Sequence, residues 1–251
     1  MRSPRPVRRD QLLVVVLGVI LAWLLVRRQV VSSSSLLFFA VLVPSIILHE
    51  VSHGVVALAF GDDTAKRAGR LTLNPLRHVD PIGTIVLPLL LVFAGGPAFG
   101  YAKPVPVDSR RLRSPRNQGV IVSLSGPAVN VALAVAAALT LRWVAPADVR
   151  GFLASVVRGG GLFVSGLPLS WAVLYVFGAA NVVLAAFNLI PIPPLDGSAV
   201  VERVLPRSWW PTYLRFRQYS MIIVLGVVLL WPGGLSRVFH PALSWWAGLL
   251  S

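Results

Sequence analysis

Six apolar stretches, at about residues 11–26, 35–60, 82–99, 119–145, 169–190 and 219–231, constrain this chain more than any other feature of its sequence. Each reaches or approaches the ~20 residues that a helix needs to cross the hydrocarbon core of a bilayer. Inside hydrocarbon every backbone donor and acceptor must be satisfied by the chain itself, so such stretches become helices rather than open sheets. The expected fold class is therefore an all-α polytopic membrane protein. Composition agrees, with 56% hydrophobic and 13% charged residues and a mean hydropathy of +0.76, outside the range of soluble domains. No polar block is long enough to form a separate soluble domain. The chain reads as a single integral-membrane domain over residues 1–251: an N-terminal anchor in 1–35, a core in about 36–200 and C-terminal helices in 201–251.

Basic residues outnumber acidic ones 23 to 9 and cluster between the apolar stretches. That is the pattern of loops facing an anionic cytoplasmic leaflet. No long basic face with interleaved aromatics exists, which argues against nucleic acid as a partner. Arg2, Arg5, Arg8 and Arg9 place the N-terminus in the cytoplasm. The first apolar run is long for a signal peptide and ends in Arg27-Arg28 without a small-residue cleavage site, so it reads as a retained anchor. The second stretch then runs inward to Lys66, Arg67 and Arg70, although Arg27 and Arg28 would face outward. Both flanks of the third stretch want the cytoplasm, and it contains Pro88, Gly95, Gly96 and Pro97. This combination suggests a re-entrant element, with a full crossing as the alternative. The loop from 103 to 116, with four arginines and a lysine, is expected to touch anionic headgroups. The preference for Arg over Lys points to a bacterial source, and hence to a bacterial cell membrane.

Seven of the nine acidic residues sit in loops or at segment ends; Glu50 and Asp196 are the informative pair. Glu50 lies about ten residues inside the second stretch, ~15 Å from its end at ~1.5 Å per residue, near mid-bilayer. An ionisable group at that depth costs several kcal/mol unless partnered, so it marks function by default. Residues 49–53 read His-Glu-Val-Ser-His, which puts His49 and His53 on one helical face a turn apart. Two imidazoles at that spacing reach one Zn²⁺, while Glu50 stands beside the metal as a proton acceptor from water. HExxH is a short pattern that arises by chance, but in an apolar helix it has few bland explanations. Cysteine is absent, so a third metal ligand must be His, Asp or Glu. Asp196 meets that need at the end of Asn188-Leu-Ile-Pro-Ile-Pro-Pro-Leu-Asp-Gly197, where three prolines forbid continuous helix. Its bland alternative is a Pro-rich turn with Asp196 capping the next helix.

HEVSH in one membrane helix, NLIPIPPLDG in a later one and Gly126-Pro127-Ala-Val-Asn130 between them together resemble the site-2 protease family of intramembrane zinc metalloproteases. The resemblance covers roughly residues 36–200. It implies about six hydrophobic segments around a three-helix catalytic core and one zinc per chain, held by His49, His53 and Asp196. Glu50 would activate water, and Asn130 would help hold the substrate strand or the oxyanion. It also implies a transmembrane protein as substrate, cut within or near its membrane helix in regulated intramembrane proteolysis. The chain has no room for a PDZ domain or a nucleotide-sensing domain, so a compact form of the family is expected. Thr72 to Pro81 also resembles a stretch of compact members, without an assigned role.

The rival class is a membrane transporter or metal-binding scaffold whose intramembrane His, Glu and Asp form an ion path. Inverted repeats would favour it, and none is evident. Asn181 and Asn188 lie seven apart on one helical face, suited either to a ligand or to interhelical hydrogen bonds. His78 reads as an interfacial turn residue rather than an extra ligand, and His240 as interfacial. The pairs Trp209-Trp210 and Trp245-Trp246 read as belt residues at the membrane boundary.

Overall fold

The computed structural model describes residues 33–80, 83, 102–162, 164, 166–230 and 232–250. The first expected stretch, 11–26, lies outside the described residues, as does all of 82–99 except Gly83. The question of crossing or re-entrance therefore lies outside them too. Among the described residues the architecture is all helical. The main helices are α1 (Ser33–Ala59), α2 (Pro115–Val144), α3 (Ala147–Arg158), α4 (Leu169–Asn188), α5 (Ser198–Val204), α6 (Trp210–Leu230) and α7 (Pro232–Leu250).

Three of these are long and apolar enough to cross a membrane: Leu36–Ala59, Pro115–Val144 and Leu169–Asn188. They pack on one another as a three-helix core. Small residues line the seams, among them Ala134, Ala138, Ala179 and Ala180, all essentially inaccessible, and allow the backbones to approach closely. Two core helices carry an internal proline, Pro44 in α1 and Pro127 in α2. Membrane helices tolerate proline where neighbouring helices and hydroxyl side chains restore the lost backbone partners. Ser45, fully buried next to Pro44, donates its hydroxyl to the Val41 carbonyl at 2.8 Å.

The helix expected at 219–231 starts earlier, at Trp210, because Pro211 in its first turn suits a helix N-terminus and Arg215 and Arg217 are carried within it. α7 closes the bundle from the side. Trp246 is fully buried in it, its Nε1 donating to the Ala134 carbonyl at 2.7 Å. The indole fills the notch left by Gly178 of α4, where a Cβ would collide with the ring. The belt reading is thus corrected for Trp246, whereas Trp209 and Trp245 are exposed.

Between α1 and α2 the described chain is irregular. A single helical turn at Thr64–Arg67 and a 3₁₀ turn at Pro75–Arg77 lead to His78. Residues 102–108 then pass without regular structure toward α2. Asp62, fully buried, ties the two ends of this connection together. Its carboxylate accepts from Thr64 N–H at 2.9 Å and from Asp108 N–H at 2.7 Å. Burial pushes this carboxyl up, but the hydrogen bonds from Thr64 and Asp108 outweigh it and hold the group below its ordinary value.

Candidate metal centre

Helical spacing brings His49 and His53 to the same face of α1, and that face meets α2 at Gly126. The imidazole planes stand at 87° with centroids 4.8 Å apart. A Cβ on Gly126 would lie 2.5 Å from the His49 Nε2 and 2.6 Å from the His53 Cε1, so only glycine leaves room for both rings. This is a physical reason for the glycine of the Gly126-Pro127-Ala-Val-Asn130 element, to which the sequence alone assigned no role.

Asp196 arrives from the loop that follows α4. Pro191, Pro193 and Pro194 end helical hydrogen bonding there, and Gly197 N–H closes the loop on the Asn188 carbonyl at 2.7 Å. A Cβ at Gly197 would run into the backbone of Leu189 and Ile190. From α2, the Ser123 hydroxyl donates to the Asp196 carbonyl at 3.0 Å. The result places Asp196 Oδ2 at 2.9 Å from His49 Nε2 and 3.5 Å from His53 Nε2. One ligand atom from each of the three residues falls within 4.8 Å of the others. Sequence spacing of nearly 150 positions is closed by the packing of α4 on α1 and α2.

The hydrogen-bond order around the rings decides which nitrogens carry protons. His53 Nδ1 lies 2.7 Å from the Val122 carbonyl, which can only accept, so Nδ1 is the donor. For His49 the order runs through two amides. Asn181 Nδ2 donates to the Phe177 carbonyl at 2.8 Å and to Ser45 Oγ at 2.9 Å, which turns Asn181 Oδ1 toward α2. Asn130 Nδ2 donates to that oxygen at 2.7 Å, leaving Asn130 Oδ1 to accept from His49 Nδ1 at 2.5 Å. As neutral rings, both histidines therefore present bare Nε2 lone pairs to a buried carboxylate oxygen of Asp196. Three electron pairs converging without a proton between them repel one another unless a cation sits among them. Two imidazoles and a carboxylate are a regular protein ligand set for catalytic zinc, with a position left for substrate or water, and the Nδ1 partners are the outer shell that metal-bound histidines require.

Glu50 is in the same helix turn but is not one of the three converging groups. Its Oε2 accepts from the Val105 backbone N–H at 2.8 Å. Asn130 is fully buried with both amide atoms engaged, by His49 and by Asn181. These two bonds set Asn130 behind His49, on the side of the ring away from Asp196. Asn181 makes the interhelical bonds that were one of its two alternatives, and Asn188 donates to the Leu184 carbonyl within its own helix. His78 is a buried turn residue away from the three-residue cluster: its ring bonds the Thr72 carbonyl at 2.8 Å and its own carbonyl accepts from Lys103 N–H. His240 lies against the Arg158 carbonyl, far along the chain from the cluster.

A family model described as peptidase family M50 matches residues 37–231, a stretch that contains every residue of this centre. The chain belongs to peptidase family M50, the site-2 protease family. Among its relatives is the Bacillus subtilis protein named "Putative zinc metalloprotease YwhC". It is 39% identical over 203 residues, covering 76% of this chain and 82% of the relative. The Mycolicibacterium smegmatis protein named "Putative zinc metalloprotease Rip2" is 31% identical over 247 residues, 96% of this chain and 86% of that one. Its Mycobacterium tuberculosis counterpart is 29% identical over 229 residues. No solved structure matches the chain. This M50 peptidase is a membrane zinc metalloprotease, as the helices, the converging ligand set and the relatives agree. The transporter reading is set aside by the family.

Proposed function

We propose that this M50 peptidase hydrolyses peptide bonds in or beside the transmembrane segments of other membrane proteins, as a step of regulated intramembrane proteolysis. The observation that carries the reading is the meeting of His49, His53 and Asp196 between helices long enough to span a bilayer. A hydrolytic centre between such helices is reached most directly by a substrate that is itself in the membrane. Its scissile segment must unwind, because a helix buries and hydrogen-bonds its own carbonyls.

In this mechanism His49, His53 and Asp196 hold the zinc, one ion per chain. Zinc supplies Lewis-acid polarisation of the scissile carbonyl and makes water acidic enough to be deprotonated near neutral pH. Glu50 takes the proton of the attacking water and returns it to the leaving amine. Val122 and Asn130 hold the Nδ1 protons of His53 and His49, so that both Nε2 atoms stay aimed at one point. We assign Asn130 this positioning role in place of the oxyanion contact.

The basic residues at 2–9 support an N-terminus on the cytoplasmic side of a bacterial cell membrane, and the basic residues of the 103–116 loop support a contact with anionic headgroups. Part of that loop's charge is already used, since Arg110 pairs with Asp108 and Arg111 with Asp63. The test is comparative proteomics of membrane-protein fragments in cells carrying the parent chain or Glu50→Gln. Fragments cut within membrane segments should vanish with Glu50→Gln, although the purified variant keeps its zinc. Persistence of the same fragments removes Glu50 as the base.

A further inference from the structure

The proton acceptor is held by a segment remote in sequence, and that segment has an anchor of its own. Residues 102–108 contain Lys103-Pro104-Val105-Pro106-Val107. Proline has no N–H and restricts the residue before it to extended backbone. Across 104–106 the single N–H therefore belongs to Val105, and it donates to Glu50 Oε2 at 2.8 Å. The Val105 side chain, nearly buried, rests on Gly54, one turn beyond Glu50; a Cβ there would come within 3.0 Å of Val105 Cγ1 and 2.5 Å of Leu71 Cδ2. Both the backbone and the side chain of Val105 are thus fitted to the Glu50 turn.

What keeps the segment there is Arg70. Its side chain is more than nine-tenths buried, and its Nη2 donates to the Lys103 carbonyl at 2.5 Å and the Pro104 carbonyl at 3.3 Å. Among the described residues no carboxylate pairs with it within ion-pair distance. Its Nε is buried without a hydrogen-bond partner, so a guanidinium held through Nη2 by two carbonyls alone is an expensive arrangement. Nonspecific attraction to headgroups would leave the side chain at the surface. The two carbonyls it holds immediately precede the Val105 N–H, since the carbonyl of Pro104 and the N–H of Val105 share one rigid peptide plane. Fixing that plane fixes the direction of the N–H.

We propose that Arg70 is a positioning residue for Glu50: by holding the Lys103 and Pro104 carbonyls it aims the Val105 N–H at one carboxylate oxygen and leaves the other to face the attacking water. The proposal rests on the reading of Glu50 as the base. A carboxylate restrained through one oxygen keeps a single rotamer, which is the geometric condition for proton transfer. Arg70 touches neither substrate nor zinc in this role.

The chain has two glutamates, Glu50 and Glu202, and Glu202 lies away from the centre in contact with Tyr213 and Arg217. Cell-free synthesis of the full chain as Glu202→Gln with ¹³C-carboxyl glutamate gives one labelled carboxylate, so its infrared stretch reports Glu50 alone. In zinc-replete protein in lipid vesicles, Arg70→Gln should shift that band, and Arg70→Lys should return it part of the way. Val105→Pro, which deletes the N–H itself, should shift it in the same direction and serves if Arg70→Gln does not fold. Turnover of a fluorescence-quenched model transmembrane peptide should show kcat lowered by about 10²-fold in Arg70→Gln with KM nearly unchanged. An unmoved Glu50 band in zinc-replete Arg70→Gln or Val105→Pro overturns the proposal, as does parental kcat in Arg70→Gln. If Glu50→Gln cuts the peptide as fast as its parent, the base assignment fails, and the band positions still decide whether Arg70 holds the Val105 N–H in place.

Discussion

His49 Nδ1 lies 2.5 Å from Asn130 Oδ1, and the direction of that hydrogen bond is set two residues away, by the Phe177 carbonyl that Asn181 must face. A carbonyl cannot donate, so the amide order Asn181 to Asn130 to His49 has one solution, and it leaves the His49 Nε2 bare for metal. The four polar side chains of this relay, including Ser45, are buried in the seam of α1, α2 and α4.

Asn130→Ala should therefore weaken zinc binding by about 10 to 100-fold, the usual cost of removing a partner behind a metal-bound histidine. Asn181→Leu should act in the same direction through Asn130, because it removes the acceptor that turns the Asn130 amide. Competition of each purified variant with a chelator of known zinc affinity measures both effects. Unchanged affinity in Asn130→Ala would contradict the tautomer assignment.

Gly126→Ala should lose zinc, since its methyl would occupy space held by both imidazoles. Gly119→Ala is the control on the same helix: nothing lies within 4 Å of its added Cβ. Alanine is otherwise better than glycine inside a helix by about 1 kcal/mol, so opposite signs for the two variants separate a steric effect from a helical one. Metal content per chain and thermal unfolding in detergent read the two.

Asp196→Asn should reduce metal content although the loop around it stays closed, because Gly197 N–H and the Ser123 hydroxyl bond backbone carbonyls and not the carboxylate. Asparagine keeps the shape and removes the charge that offsets the cation. Elemental analysis after dialysis should show substoichiometric zinc, and crosslinking between positions on α2 and α5 should be unchanged.

Asp62 gives a prediction with a sign in pH. Its folded-state value lies below the ordinary carboxylate value of about 3.9, because hydrogen bonds from Thr64 and Asp108 outweigh its burial. The stabilisation is complete above the ordinary value and is lost as pH falls through the lower folded one. Protection of the Asp108 amide, relative to its intrinsic exchange rate at each pH, should hold down to about pH 4 and fall below it. Asp62→Ala should remove the acid dependence and cost about 1–3 kcal/mol, since it strands buried donors.

The membrane core was legible from hydropathy alone because lipid admits few backbone solutions. Stretches expected at 35–60, 119–145 and 169–190 are the helices Ser33–Ala59, Pro115–Val144 and Leu169–Asn188. α7 was less legible, because Arg237, His240 and Pro241 interrupt its apolar run and its docking depends on one buried indole. The short list of acids and histidines named the ligand candidates, since an ionisable group in an apolar helix has few reasons to be there. The same logic could not tell a residue that touches substrate from one that stands behind a ligand. Asn130 fits both descriptions until its neighbours are known, and Arg70 and Val105 look like ordinary parts of a basic loop.

The amino-acid sequence by itself determined that the chain is helical and that it belongs in a membrane, and it singled out His49, His53, Glu50 and Asp196 as the candidates for its chemistry. These follow from local rules: the helical repeat, the cost of charge in hydrocarbon, and the ligand preferences of zinc. Only the tertiary structure decided that Asp196 meets the two imidazoles, that Gly126 makes the space for them, and that the Glu50 carboxylate is met by a backbone N–H from a distant loop. Those relationships depend on how three helices close upon one another, and hydrogen-bond direction is a property of the assembled neighbours rather than of any residue alone.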